Sequence, residues 1–362
     1  MGNKVEYSNL LARILLDHPF DRQFVIPEPP RRLFRAFLRW YEAHVMKVDV
    51  SEIKIDRPIV MLALPRAGAS ILQNIICTHP EVSYLTNTMH KCRDCFCAAE
   101  HVRRKLNLNA KGERYLGDSV IVDVNSPADG IAFWGDLLKS DPFLLDYVEH
   151  SAEDFASEEI EEVKEKIRKI IFCFGSQARR FFCKNPFLLP QIRFLKDLFP
   201  DAKFVHVVRD PRMACNSLLK LYRLDNQQLA KIRSAGRNPI PGNKPLVPYP
   251  RLPGLAENVA KYGAEDVRTT AHLWNDAVSF VNQRKAELPA FHEVRYEDIL
   301  ADPQKEVFRI FDFCELEIPG KDKTAFWDKI GEFGAIRHKN AYGDFEVIES
   351  ICRDNMRQYG YL

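Results

Sequence analysis

The chain has 362 residues, 46% of them hydrophobic, enough for a buried core within one α/β domain that carries insertions. Its 52 Lys and Arg against 50 Asp and Glu leave a net charge of +2, so no global charge directs it to nucleic acid or to a membrane surface. Any anion-binding region must be local. Met1 to Asp17 lacks the charged start, long apolar run and small-residue cleavage site of a signal peptide. Glu6 stands where the lipidation motif after Gly2 needs Ser or Thr, and no apolar run is long enough for a membrane span. Nine cysteines, odd in number and mostly scattered, favour reduced thiols over a disulfide framework. These features lead us to expect a cytoplasmic protein, with no preference as to oligomeric state.

In chain order, Arg31 to Lys47 reads as an amphipathic helix outside the core, with Leu33, Phe34, Phe37, Leu38, Tyr41 and Val45 on one face. Residues 1–50 are taken as an N-terminal helical extension and 51–362 as a single domain. Pro58 to Leu64 is a continuous apolar run, the pattern of a parallel strand buried on both faces. Pro65 and Gly68 break it, and a helix resumes through Ile71, Leu72, Ile75 and Ile76. Ser157 to Ile171 is a helix with favourable Glu162–Lys166 and Glu165–Lys169 pairs. Phe181 to Lys184 is a strand followed by a helix to about Leu198. Lys203 to Val208 is another strand, entering Arg209-Asp210-Pro211-Arg212 and a helix through Tyr222. Six prolines between Pro239 and Pro253 mark an extended loop, about 234–255. A helix around Trp274 and a strand from His292 to Tyr296 follow. Strands alternating with helices predict a central, mostly parallel sheet with helices on both faces.

Two strand ends carry anion-binding chemistry. Leu64-Pro65-Arg66-Ala67-Gly68-Ala69-Ser70 joins a buried strand to a helix start, where backbone N–H groups and the helix dipole favour an anion. Gly68 permits close backbone approach, Ser70 offers a hydroxyl and Arg66 a forked cation. The Gly-Lys-Ser/Thr ending of an NTPase loop is absent. Arg209 sits at the carboxyl end of the second strand and Ser217 lies eight residues on, placed to grip a second phosphate. Between them, His90, Cys92, Cys95, Cys97 and His101 have spacings that zinc sites favour, but no second ligand pair lies at a distance. Zinc is therefore an alternative; buried thiols without a metal are the expectation.

These motifs resemble those of sulfotransferases that use 3′-phosphoadenosine 5′-phosphosulfate (PAPS). Leu-Pro-Arg-Ala-Gly-Ala-Ser is similar to the family's 5′-phosphosulfate loop, and Val-Val-Arg-Asp-Pro-Arg with Ser217 to its 3′-phosphate motif. Cys-Lys-Asn-Pro at 183–186, Phe-Pro-Asp-Ala-Lys-Phe at 199–204, Tyr-Glu-Asp-Ile at 296–299 and the late segment His338-Lys339-Asn340 to Phe345 match further landmarks. The variant most similar is the bacterial group with a helical insertion between the phosphate loops, here about 85–180, with Glu113-Arg114, Gly117-Asp118 and Ser126-Pro127 as its marks. Ala67 and Ala69 depart from the family's usual Ser and Thr, which implies weaker cofactor binding.

The resemblance implies sulfuryl transfer from PAPS to a hydroxyl or amine of a small-molecule, sugar or lipid acceptor. It assigns cofactor binding to Arg66, Ala67, Gly68, Ala69, Ser70, Arg209, Ser217 and Lys339. Arg66 and Lys184 then stabilise the transition state, Arg66 beside the leaving phosphate and Lys184 at the sulfuryl oxygens. His90 is the preferred base, with Asp118 and Asp129 in reserve. Trp274 is either an adenine contact or a core residue. Lys91, Arg93, Arg103, Arg104, Lys105 and Lys111 are either a guide for an anionic acceptor or a solvated face. Competing readings are a catalytically silent nucleotide-binding protein, on account of Ala67 and Ala69, and a nucleotide-dependent kinase.

Overall fold

The structure is a computed structural model that describes residues 5–16, 29–114, 120–139, 144–234, 236, 246, 248–334 and 342–362. Asp118, Lys339 and much of the proline-rich loop lie outside the described residues. Eight strands are described: β1 (Glu6–Tyr7), β2 (Ile59–Ala63), β3 (Val82–Tyr84), β4 (Ala110–Glu113), β5 (Ile121–Asp123), β6 (Arg180–Lys184), β7 (Lys203–Val208) and β8 (Phe291–Arg295). Five of them form a central sheet in the order β3-β6-β2-β7-β8, every neighbouring pair parallel.

Alternation along the strands explains why the sheet is covered twice. On β2, Val60 and Leu62 face one apolar core while Ile59, Met61 and Ala63 face the other. The first core also takes Phe181, Phe204 and Val208, under the helices Ser157–Phe174, Pro211–Ser234, Val267–Arg284 and Phe345–Gln358. The second takes Phe182, Val205, Val207 and Val294, under Ala69–Ile76, Pro303–Phe313 and Thr324–Gly334. Each large apolar side chain removed from water contributes about 1.5–3 kcal/mol, and a strand buried on both faces has no polar side to place. The predicted α/β class is the observed one.

The chain leaves β2 for β3 and β6 on one side, then returns to β7 and β8 on the other. The carboxyl ends of β2 and β7 therefore flank a topological switch point, where ligands of open α/β sheets collect.

The insertion differs from the all-helical expectation. Besides the helices Asn87–Lys91, Phe96–Lys105 and Ile131–Leu138 it holds the antiparallel pair β4–β5, to which β1 adds a third strand. Ala-Lys-Gly-Glu and Ile-Val-Asp are too short to display an alternating pattern, and β1 reaches β4 from about a hundred residues away.

Candidate active site

At the switch point two arginines meet. Arg209, the residue after β7, donates from Nη1 to the carbonyl oxygen of Arg66 at 2.9 Å. Arg66 donates from Nε to Ser217 Oγ at 3.0 Å. The helix Pro211–Ser234 starts directly after β7, so its second turn brings the buried Ser217 back to the strand ends. The eight-residue spacing between Arg209 and Ser217 thus becomes a three-residue constellation with Arg66 at its centre.

The turn that carries Arg66 is held in an unusual conformation. Arg66 has φ +70° and Gly68 has φ +88°, both in the left-handed region. For a non-glycine residue such a backbone persists only where the surroundings fix it, here through the bond to Arg209. A Cβ on Gly68 would come within 2.1 Å of the Tyr296 ring, so the backbone lies directly against that ring. The same ring lies 4.7 Å from the Arg209 guanidinium. Glu297 accepts from the Asp210 N–H at 3.0 Å through one oxygen and from the Tyr361 hydroxyl at 2.9 Å through the other. Tyr296 and Glu297 thereby prop both loops. Gly68, as N-cap of the helix Ala69–Ile76, brings no side-chain cap, so no capping side chain takes the first N–H groups of a helix start of the kind that favours an anion.

Ala67 and Ala69 are buried in the second core. The surface of the turn consists of backbone, the half-buried Pro65 and Arg66, and the exposed Ser70.

Lys184, the last residue of β6, is the hub of a second group. Its Nζ donates to Asp129 Oδ1 at 2.9 Å, Ser70 Oγ at 3.2 Å and Gln73 Oε1 at 3.2 Å. Asp129 arrives from the insertion because Thr86 bridges Pro127 and the Ala128 N–H donates to the Leu85 carbonyl at 2.8 Å. Its side chain is 43% exposed while that of Lys184 is 9% exposed. A partly solvent-facing carboxylate thus sits on a buried ammonium. Asn185 uses Oδ1 to accept from Phe187 N–H at 2.9 Å, while its buried Nδ2 has no partner among the described residues.

His90 does not reach this group as a free base. Its ring is buried and Nε2 accepts the Ala132 N–H at 3.3 Å. Burial, with the Arg93 charge behind it, lowers its pKa to about 4. The ring is neutral at physiological pH, and its Nε2 is engaged by backbone.

The remaining sequence candidates separate. Cys92, Cys95 and Cys97 are buried but do not converge on one point: Cys95 adjoins Cys92, with its Sγ 3.6 Å from Asp94 Oδ1, whereas Cys97 turns to Cys173, with its Sγ 3.9 Å from the Lys169 carbonyl. His101 pairs its ring with Tyr41 at 5.8 Å. Among the described residues no group of His, Cys, Asp and Glu is arranged to hold a metal. Trp274 is 2% exposed and donates its indole N–H to the Arg209 carbonyl at 3.0 Å, so it fixes the strand end from within the core. Of the basic residues, Arg103 binds the buried Glu100, Arg104 the Cys173 carbonyl and Arg93 pairs with Asp136. Asn216, beside Ser217, donates to the Gly343 carbonyl at 2.9 Å, tying the segment just after Lys339 to the same helix.

A cleft of about 810 Å³ opens at the amino ends of the strands, lined among others by Asp56, Arg179 and Asp201. It lies across the sheet from Arg66 and Lys184. Three cationic side chains, two hydroxyls, a helix start and an orphaned buried amide at the carboxyl ends fit a polyanionic nucleotide better. Among the described residues no helix is long and apolar enough to cross a membrane.

Comparison with known proteins agrees with the geometry. The chain is 26% identical over 149 residues to omega-hydroxy-beta-dihydromenaquinone-9 sulfotransferase Stf3 of Mycobacterium bovis, 40% of this chain and 32% of that protein. It is 24% identical over 166 residues to protein-tyrosine sulfotransferase A of Caenorhabditis elegans, 45% of this chain and 34% of that protein. The matches thus span about a third of the length of these curated relatives. The crystal structure of sulfotransferase STF9 from Mycobacterium avium shares the fold, with a TM-score of 0.54 at 17% identity, covering 91% of this chain and 82% of that one. The sulfotransferase family profile matches residues 58–239 and 253–320, which include both strand-end loops and Lys184, and the chain belongs to that family.

Proposed function

We propose that the protein transfers the sulfuryl group of PAPS to a hydroxyl of an acceptor. The observation that carries this reading is the linked set Arg209–Arg66–Ser217 beside Ser70 and Lys184, at one edge of the sheet. The donor, when bound, supplies the sulfuryl group and a leaving phosphate. Arg209 and Ser217 hold the 3′-phosphate, with Lys339 as a further cation for it. The Ser70 hydroxyl and the helix-start N–H groups hold the 5′ end, and Arg66 neutralises charge on the leaving oxygen. Lys184 fixes the position of the sulfuryl oxygens. Asp129, exposed and beside Lys184, takes the proton of the acceptor hydroxyl.

An active enzyme is favoured over a silent nucleotide-binding protein because Ala67 and Ala69 point into the core. Hydroxyls missing there leave the exposed face of the turn unchanged. Both curated relatives are named for oxygen acceptors, a hydroxylated menaquinone and protein tyrosine, which supports a hydroxyl over an amine.

The test is to incubate cell extract with PAPS and the protein and to follow sulfuryl mass gains by mass spectrometry. Wild type is expected to add sulfuryl groups, and Arg66→Ala to lower the rate by about two to three orders of magnitude at saturating donor. An Arg66→Ala protein that binds donor poorly but turns over normally at saturation would place Arg66 in ground-state binding alone.

A further inference from the structure

We infer that the outer face of the helix Arg32–Tyr41 docks flat on an anionic membrane surface. The helix is not a loose appendage. Leu38 is buried, and Phe34 and Tyr41 are half-buried against the first core. Arg35 donates to both oxygens of Asp94, with Nη2 to Oδ2 at 2.8 Å, and Glu42 accepts from the Ala98 N–H at 2.9 Å. These contacts fix which side faces away from the protein.

That outer side is apolar. Leu33 is 86% exposed, Phe37 46% and Trp40 53%, at positions i, i+4 and i+7 of one stripe. Rings continue it: Phe37 lies 6.5 Å from Trp40, and Trp40 stacks on His44 at 5.9 Å. Val45, 52% exposed, extends the apolar surface into the π-helical turn Glu42–Met46. The expectation of one apolar face is therefore split in two. Phe34, Leu38 and Tyr41 face the protein, whereas Leu33 and Phe37 face outward, joined by Trp40.

The charge around the stripe selects its partner. Arg31, Arg32, Arg39 and Lys47 are exposed on its flanks, and the helix sequence Arg-Leu-Phe-Arg-Ala-Phe-Leu-Arg-Trp-Tyr contains no acid. Two carboxylates beside the helix are engaged with the protein, Asp94 by Arg35 and Arg39 and Glu42 by the Ala98 N–H. An apolar stripe bearing an exposed Trp, edged with arginines, is the composition of a helix that lies in the interface plane of an anionic bilayer. In a chain of net charge +2 this local excess of cations is not a by-product of composition. The inference concerns where the protein sits and does not depend on the chemistry proposed for the strand ends.

The test uses the full chain, without donor or acceptor. It is sedimented with vesicles of phosphatidylcholine alone and with vesicles containing a third phosphatidylglycerol, at low and high salt. Wild type is expected to partition onto the anionic vesicles, less so at high salt. Leu33→Ser/Trp40→Ser should lower the partition coefficient by about tenfold or more, and Arg32→Glu/Arg39→Glu should abolish the preference for anionic lipid. Since Leu33 and Trp40 are exposed, unfolding midpoints for that pair should match wild type. Equal partition of wild type and Leu33→Ser/Trp40→Ser, or no preference for anionic vesicles, overturns the inference. So does an oligomer seen by sedimentation velocity without lipid that this variant dissolves, which would make the stripe a protein contact.

Discussion

His90 and Asp129 are close in sequence space as titratable candidates, yet the fold gives them opposite fates. His90 is depressed to about 4 by burial, so between its ordinary value near 6.5 and 4 the unfolded chain binds a proton that the native protein refuses. Stability should accordingly fall as pH drops through that window, by about 3 kcal/mol in all, and level off below it. His90→Gln, which keeps an acceptor for the Ala132 N–H, should flatten that slope in urea titrations at pH 7 and pH 4.5. A slope unchanged by the substitution would mean that His90 is not the group refusing the proton. The same variant should keep near-wild-type turnover. Asp129→Asn preserves the size of the side chain and a hydrogen-bonding oxygen for Lys184 but removes the base. Its kcat should fall by about two to four orders of magnitude with little change in donor affinity. Unchanged kcat would remove Asp129 from the reaction.

At the level of elements, the turn 64–70 is only as good as its support from the helix Tyr296–Ala301. Gly68→Ala meets two obstacles, a left-handed backbone and the Tyr296 ring. Denaturant unfolding should report a loss of about 2–3 kcal/mol. Tyr296→Ala should remove the steric share, so the double variant should lose less than the sum of the two singles. Strict additivity would show that the ring does not press on the turn. This support was only half legible in the sequence. Tyr296 and Glu297 stood out as landmarks, but pattern alone does not show that one ring touches Gly68 and Arg209 together. The strands were easier: β2, β6 and β7 lie within a residue or two of their apolar runs, because strands buried on both faces advertise themselves, and the half-buried edge strand β8 lies within a residue of its expected bounds. The three-residue β3 and the β4–β5 pair were hidden by brevity, and their pairing partners are set by tertiary contacts. The helix Pro211–Ser234 outran its predicted end at Tyr222 because the amphipathic pattern weakens where it leaves the core, with Asp225 and Leu229 still buried.

Across the whole molecule, the parallel sheet collects residues that the chain keeps far apart. Arg66 and Ser217 are 151 positions apart, and Lys184 and Asp129 are 55 apart. Arg66, Arg209 and Ser217 could be named from sequence because a strand end followed by a helix announces an anion site. The Lys184–Asp129 pair could not, since it depends on how Leu85 to Thr86 pairs with Pro127 to Ala128. The central claim is that this edge of the sheet reads a nucleotide by its 3′-phosphate, and calorimetry with adenosine 3′,5′-bisphosphate and adenosine 5′-monophosphate tests it most directly. Wild type should strongly prefer the bisphosphate, and Arg209→Ala should lose about 1.5–3 kcal/mol on the bisphosphate and far less on the monophosphate. Equal losses on both nucleotides, or a wild type that binds the two alike, would contradict the account.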